Sequence, residues 1–417
     1  MTPMLTNLNT PTHPLSDALL HRARRVIPNA MYGHQDARGL WPGAPQFVSR
    51  TSGSRIWDAD GHEYIDLLCS WGPIIHGYQH PRIEEAVNRQ RQICDTANGP
   101  SEDFVTLAEK LVDVVEHADW AMFAKNGSDV TTLCLTIARA HTGRATILVA
   151  EGAYHGALPW CNPDATGVLP SDRAGLAYYT YNDLASVEKL VTEHEGDLAG
   201  IIVSPFRHDA GFDQEMVDPA FARGLRRICD ENDAVLILDE VRTGFRMSLG
   251  GSWEQYGVRP DLSSWSKAIG NGYPVAAVLG AEVLREAAGS FFVTGTFWFS
   301  AVPMVAALAS IALLEEYDGV AHMFARGDQL VSGLREQAAS YSLPVNITGP
   351  VTMPYLSFAG ETDHQFTLAW TAECAARGVF VHPKHNWFMS TALSEADVDS
   401  VLVATDAAFG EVAGRFY

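Results

Sequence analysis

The chain has 417 residues, 47% hydrophobic and 19% charged, which describes an ordinary soluble globular protein with room for one large core and a smaller one. A formal charge of −21 and a pI near 5.0 oppose binding to nucleic acid, which needs concentrated Lys and Arg to displace counterions. No run is long enough to span a bilayer and no basic-then-apolar leader opens the chain, so no membrane partner and a cytoplasmic location are expected.

After a Pro- and Thr-rich lead, residues 17–27 read as a short basic helix, and 28–45 as a Gly- and Pro-punctuated segment. Residues 46–68 alternate and turn at 58–61, the pattern of a hairpin. From 81 to 313, helical patterns alternate with short apolar runs at 121–123, 146–150, 200–204, 234–238 and 275–279, so a mostly parallel, helix-covered sheet is expected. The remainder carries a helix near 305–317, a strand-like 345–358, a helix at 366–377, a short strand at 379–382 and a closing helix from Glu395. The expected organisation is an α/β fold with three parts. Residues 1–80 serve a small domain and a dimer interface, 81–313 form a large domain, and 314–417 form a small α+β domain.

The six cysteines are scattered without a Cys-x-x-Cys pair, as buried thiols in a reducing compartment are. The fifteen histidines show no metal-ligand spacing beyond the short His382/His385 pair, so no metal site is expected.

Only five of the 29 basic residues are lysine, and Lys267 lies in the small, Gly-rich, nearly uncharged stretch DLSSWSKAIGNGYP at 261–274. Upstream, the apolar run AVLILDEV at 234–241 ends in a carboxylate, as parallel strands do when their carboxyl edge carries a site. A buried acid and an amine of depressed pKa suggest carbonyl chemistry through a Schiff base, although a lone lysine is also a common surface charge and a lone Asp a common helix cap. Lys125 to Val130 (KNGSDV) opens a helix with Val130, Leu133, Ile137 and Ala138 on one face. Its free first-turn amides, with Gly127 and Ser128, suit a phosphate; Ser128 or Asn126 acting only as a cap is the alternative. Tyr154, beside a glycine turn, offers a ring for stacking on a planar cofactor or simply for packing. Phosphate cradle, aromatic plate, buried acid and isolated lysine together match the needs of pyridoxal phosphate.

From about residue 22 to 408 the chain resembles the class III, fold-type I pyridoxal-phosphate aminotransferases. The segments WDADGHEYID (57–66), SWGP (70–73), YHG (154–156), LDEVRTGFR (238–246) and PDL (260–262) leading to Lys267 stand in the family's order. It is similar to the glutamate-1-semialdehyde aminomutase branch. It is closer still to the bacterial fumonisin (aminopentol) aminotransferases, through Gly33-His34, PFRH (205–208), FWFSAVP (297–303) and VHP (381–383). The resemblance implies a large domain with a mostly parallel seven-stranded sheet, a small α+β domain and a homodimer with sites at its interface. It implies a cofactor Schiff base and proton shuttle on Lys267, pairing of Asp239 with the pyridine nitrogen, and ring support from Val241 and Tyr154 with His155 beside them. Gly127 and Ser128 would hold the phosphate, with Thr296 completing that site across the dimer.

Two departures bear on the substrate. Many members carry Glu in a Val-Glu-Pro segment, where this chain has Val203-Ser204-Pro205, and the C-terminal segment that holds a carboxylate-binding arginine in amine transaminases has none here. Arg38, near the corresponding arginine of the aminomutases, is the candidate for a carboxylate, or else a loop charge. Trp71, Trp160, Trp298 and Phe299 suggest a large apolar pocket. The expected activity is ping-pong transfer of an amino group from a bulky, largely hydrophobic amine to a 2-oxo acid, with pyruvate as the expected acceptor. An aminomutase-type isomerase is the alternative, and a non-catalytic cofactor-binding protein a further one.

Overall fold

A computed structural model describes residues 12–33 and 40–416, which divide into two compact units. One comprises the described residues up to His80 together with Ala210–Asp213 and those from Ala321 to residue 416, and the other Pro81–Asp209 and Gln214–Val320.

The second unit is built on a seven-stranded sheet. Its strands lie in the order Trp120–Ala124, Ala276–Gly280, Leu262–Trp265, Val235–Asp239, Leu198–Val203, Thr146–Ala150 and Leu176–Tyr179. Leu198–Val203, Thr146–Ala150 and Val235–Asp239 are buried at every position, as strands covered by helices on both faces must be. Alternation along Val235–Asp239 sends Val235 and Ile237 to the face covered by helix Gly127–Thr142, through its Val130, Leu133, Cys134 and Ile137. Leu236 and Leu238 go to the other face, against Phe221, Leu225 and Ile228 of helix Pro219–Glu231. Each such buried side chain contributes about 1.5–3 kcal/mol relative to exposure.

Six strands share one direction, and only Ala276–Gly280 runs against both neighbours. The reason is local, because the chain from Trp265 to Ala276 is too short for a helical crossover and must turn straight back. That turn holds Lys267 at the carboxyl edge of the sheet. The ends of Trp120–Ala124, Thr146–Ala150, Leu198–Val203 and Val235–Asp239 reach the same edge, so Gly127, Tyr154, Ser204 and Asp239 all follow strands that finish there.

Two of these strands are absent from the sequence reading. Leu176–Tyr179 is an edge strand in which buried Ala177 and Tyr179 alternate with half-buried Leu176 and exposed Tyr178, and Leu262–Trp265 carries two serines where an apolar run is expected. In the first unit, 46–68 forms a three-stranded meander rather than a single hairpin, with strands Val48–Ser52, Arg55–Asp58 and Glu63–Asp66 and Val379–Phe380 added in parallel. The extra turn passes through Gly53 at φ +55°. Residues 345–358 likewise split into the hairpin Val345–Thr348 and Tyr355–Phe358. The first helix is Pro14–Ala23, three residues earlier than the sequence suggests, because Asp60 accepts the Leu15 and Ser16 amides at 2.7 and 3.0 Å and caps it from afar.

Chain folding also brings His13 and His62 onto buried Asp58, with Nδ1 to Oδ2 distances of 3.1 and 2.9 Å, a juxtaposition that no sequence spacing reveals. Asp58 accepts further bonds from the Asp60 and His62 amides and the Tyr64 hydroxyl, so the cluster works as a clasp for the turn. None of the six cysteines forms a disulfide. Among the described residues, no helix is long and apolar enough to cross a membrane.

Candidate active site

Asp239 is the last residue of its strand and sits opposite Ser264 in the parallel register. Its Oδ2 lies 2.7 Å from His155 Nδ1, and its Oδ1 accepts the Ser264 hydroxyl at 2.8 Å and the Val241 amide at 3.1 Å. Burial pushes this carboxyl up, but His155, by hydrogen bond and charge, and then the Val241 amide and Ser264 hydroxyl outweigh it and hold Asp239 below its ordinary value. Asp239 is therefore a buried anion.

Lys267 follows an extended Ser266 and takes φ +48°, a left-handed conformation that costs a side-chain-bearing residue about 1–2 kcal/mol and recurs where a site demands a direction. Burial, then the nearby Arg242 charge, pull its amine down to about 7, against the opposing pull of Asp239. A depressed amine alone does not single it out, since burial also lowers Lys125 to about 8. Asp95 opposes the shift at Lys125 as Asp239 does at Lys267, so what distinguishes Lys267 is its place at the carboxyl edge of the sheet, with the buried, triply hydrogen-bonded Asp239.

Helix Gly127–Thr142 starts directly beneath Val241. A Cβ on Gly127 would meet Val241 Cγ1 at 2.8 Å, so only glycine admits this approach. Ser128 Oγ accepts the Ala157 amide at 3.1 Å, which leaves its proton to donate. Gly156, at φ +131°, packs so closely on Ser128 that a Cβ there would collide with it, which holds the 154–156 turn against the helix start. Thr131 Oγ1 adds a 2.8 Å bond to the His155 carbonyl. His155 itself is buried, stacked on Trp160 at 6.3 Å and 15°, with its Nε2 unpartnered. Tyr154 is half-buried in the same turn, its hydroxyl pushed up by burial.

The structure thus gathers Gly127, Ser128, Tyr154, His155, Asp239, Val241 and Lys267 at one sheet edge. Thr296, Trp298 and Phe299 lie in 290–300. Thr296 is exposed, Trp298 packs on the core cluster that includes helix Gly127–Thr142, and Phe299 meets Phe104 edge-on at 5.4 Å. Among the described residues, no hydrogen bond or ring contact joins these three to Lys267 or Asp239. Trp71 belongs to the other unit, against His382 and His385 at 5.0 and 5.1 Å, on a turn where Cys69, Ser70 and Trp71 all have positive φ. Arg38 lies outside the described residues.

Three neighbours of the lysine went unassigned from sequence. Ser264 was hidden in a strand whose buried polar residue needs a partner, a signal legible only once Asp239 is placed opposite. Arg242 and buried His208 stood within quoted motifs but showed no spacing of their own.

The parts suit pyridoxal phosphate: a glycine-backed helix start for an anion, an ionised carboxylate for a protonated ring nitrogen, and an amine basic enough to attack yet neutral near pH 7. An α/β protein with this lysine and aspartate at its carboxyl edge is an enzyme of amine–carbonyl exchange. The chain belongs to the class III aminotransferase family, whose model matches residues 42–395. It is 49% identical to the aminopentol aminotransferase of Sphingopyxis macrogoltabida, over 95% of this chain and 94% of that one. It is 34% identical to the glutamate-1-semialdehyde 2,1-aminomutase of an Anaeromyxobacter species, over 96% and 99%. The solved internal-aldimine form of the FumI protein from a Sphingopyxis species, with its pyridoxal phosphate, matches with a TM-score of 0.96 at 48% identity, covering 97% of this chain and 98% of that one. The sequence expectations of class III membership, a fold-type I α/β architecture and an aminotransferase using pyridoxal phosphate agree with these findings.

Proposed function

We propose that this pyridoxal-phosphate aminotransferase moves an amino group from a bulky, largely hydrophobic amine to a 2-oxo acid such as pyruvate, in two half-reactions that share one site. The observation that carries this reading is the depressed Lys267 amine beside the ionised, triply hydrogen-bonded Asp239. The likeness to an aminopentol aminotransferase supports an amine as the donor.

When bound, the cofactor supplies a carbonyl for the amino group and a ring that accepts the electron pair left when a C–H bond breaks. Lys267, neutral for much of its time near pH 7, would hold the cofactor's aldehyde and would be the group that takes up and returns the proton. Asp239 holds a proton on the ring nitrogen, and His155, fixed by Thr131 and Trp160, keeps Asp239 charged and in place. Val241 and Tyr154 hold the ring between them, while Gly127, Ser128 and the first helical turn hold the phosphate. Thr296, on an exposed segment with Phe292 and Phe297, is proposed to complete the phosphate site of a second copy, so the homodimer is the working form. Trp71, Trp298 and Phe299 are proposed to face the donor, and Arg38 to face a carboxylate. Six cysteines, none of them in a disulfide, support the cytoplasm as its location.

The test is an absorbance spectrum of the cofactor-loaded protein with successive addition of a hydrophobic amine and pyruvate. Bleaching by the amine and recovery with pyruvate, alongside alanine formation, is the expected result. An isomeric product formed without any acceptor would transfer the assignment to an aminomutase.

A further inference from the structure

The clasp near the start of the chain gathers atoms that can do more than close a turn. The Asp58 amide bonds the His62 carbonyl oxygen at 3.0 Å, and Asp58 Oδ1 accepts the Asp60 and His62 amides at 3.0 and 2.8 Å. Two backbone donors thus fix the plane of a fully buried carboxylate. Its other oxygen, Oδ2, meets two imidazole nitrogens, His13 Nδ1 at 3.1 Å and His62 Nδ1 at 2.9 Å, and the Tyr64 hydroxyl at 3.2 Å. The two rings stand edge to face with centroids 5.0 Å apart. One donor atom from each of His13, Asp58 and His62 lies within 4.8 Å of the other two.

Two imidazoles and a carboxylate suit a divalent transition metal, and suit Mg²⁺ or Ca²⁺ poorly, since those ions take oxygen ligands. With ligand bonds of about 2.0–2.1 Å and tetrahedral angles, two ligating atoms stand roughly 3.3 Å apart. The separations of 2.9 and 3.1 Å fall short of that by only a few tenths of an ångström, which small side-chain rotations supply. A metal would take the place of the two Nδ1 protons on Oδ2, and the Tyr64 hydroxyl would keep its bond to the remaining lone pair. Each neutral imidazole then carries its proton on Nε2. Among the described residues, buried His13 Nε2 has no hydrogen-bond partner, so it goes unmatched as acceptor or as donor and does not favour the metal-free tautomer. The two histidine side chains are 18% and 35% exposed, which gives an ion a way in and leaves room for water as a further ligand. The amides on Oδ1 and the Tyr64 hydroxyl are the kind of supporting bonds that hold a ligating carboxylate in its direction.

We propose that His13, Asp58 and His62 bind a divalent transition-metal ion of the Zn²⁺ type, through both Nδ1 atoms and Oδ2, with water completing the coordination. The ion ties helix Pro14–Ala23, which His13 precedes, to the end of strand Arg55–Asp58 across 45 positions of chain. Its work is that of a staple, since metal bound by the folded chain adds its binding free energy to folding. Sequence spacing leads to the opposite expectation, because one of the three ligands comes from far upstream. The site uses neither Lys267 nor pyridoxal phosphate, so it is independent of the aminotransferase reading.

The experiment treats the full-length, cofactor-loaded enzyme with a chelator, removes the chelator, and titrates Zn²⁺ by calorimetry while thermal unfolding is followed in parallel. Co²⁺ serves in a separate titration as a coloured substitute. One Zn²⁺ per chain is expected to bind and to raise the unfolding temperature. In His13→Asn and His62→Asn, which keep an amide donor near the lost Nδ1, affinity is expected to fall by about a hundredfold or more, beyond the usual effect of losing a supporting bond. Both variants should keep turnover. No Zn²⁺ uptake by the wild type, or equal affinity in wild type and both variants, overturns the proposal. So does a Co²⁺ spectrum dominated by thiolate charge transfer, which would place the ion on cysteines. If the histidine variants do not fold, Tyr64→Phe, which removes only the hydroxyl on Oδ2, decides by the same titration: an affinity lower by about tenfold supports the site and an unchanged one overturns it.

Discussion

Asp239 and Glu240 are sequence neighbours at one strand end, both buried and both held by hydrogen bonds, yet their proton affinities move in opposite directions. Asp239 faces the helix Gly127–Thr142 side, where His155, the Val241 amide and Ser264 hold it ionised. Glu240 faces the opposite side, where Ser252 donates its amide and hydroxyl at 2.6 Å each and Thr243 its hydroxyl at 2.5 Å. Burial, reinforced by the nearby Asp239 charge, outweighs those bonds, and Glu240 is pushed above its ordinary value. The difference between them is the partner. A histidine lends charge to Asp239, whereas hydroxyls and an amide satisfy Glu240 without neutralising it. One carboxylate is poised for chemistry and the other pins the 243–252 loop.

The comparison can be tested from its largest consequence downward. Lys267→Ala should keep the fold, by circular dichroism, and lower turnover by roughly four orders of magnitude or more, the scale of losing an essential nucleophile. Asp239→Asn keeps shape and removes only charge; kcat/KM should fall roughly 10²–10³-fold, the scale of losing one preorganised electrostatic contact. Activity near wild type in that variant would remove Asp239 from the ring-nitrogen role. His155→Ala should cost about 1.5–3 kcal/mol of transition-state stabilisation, the range for a hydrogen bond to a charged group. Because His155 lowers the Asp239 pKa, its loss should also move the acid limb of the pH–rate profile to higher pH.

Cofactor loading onto the cofactor-free enzyme needs the neutral amine of Lys267. With that amine near 7, the loading rate should climb with pH up to about 7 and level off above it, where an unperturbed lysine would keep climbing towards 10.5. A stopped-flow pH series reads this directly. The smallest effect belongs to Glu240→Gln, since a carboxyl that already binds its proton more readily resembles an amide. A stability loss of no more than about 1–3 kcal/mol, seen in thermal unfolding, is expected with turnover largely kept. A loss of turnover as large as that of Asp239→Asn would erase the distinction between the two carboxylates.

Much of this site was legible in the chain. The runs at 146–150, 200–204, 234–238 and 275–279 are strands within a residue or two, because buried parallel strands need unbroken apolar stretches. Gly127, Tyr154 and Asp239 stood out because each ends or follows such a run or opens the next helix, and Lys267 because it is one of only five lysines and lies in a nearly uncharged, Gly-rich stretch. Leu176–Tyr179 was obscured by its half-exposed edge position, and Leu262–Trp265 by Ser263 and Ser264, buried polar residues whose partners come from other strands and loops. The cap from Asp60 on the first helix and the His13–Asp58 bond of the clasp join residues more than forty positions apart, beyond any local pattern.

By itself, then, the sequence determined most of the order of elements, the family and the cofactor chemistry, since these rest on local periodicity and on motifs that keep their spacing. Only the tertiary structure decided which of two adjacent carboxylates stays ionised, how far the Lys267 amine is depressed, and that the charge of buried Arg242 contributes to it. Those are properties of surroundings assembled from distant segments: burial sets the desolvation cost, and the charges that happen to pack nearby set its sign.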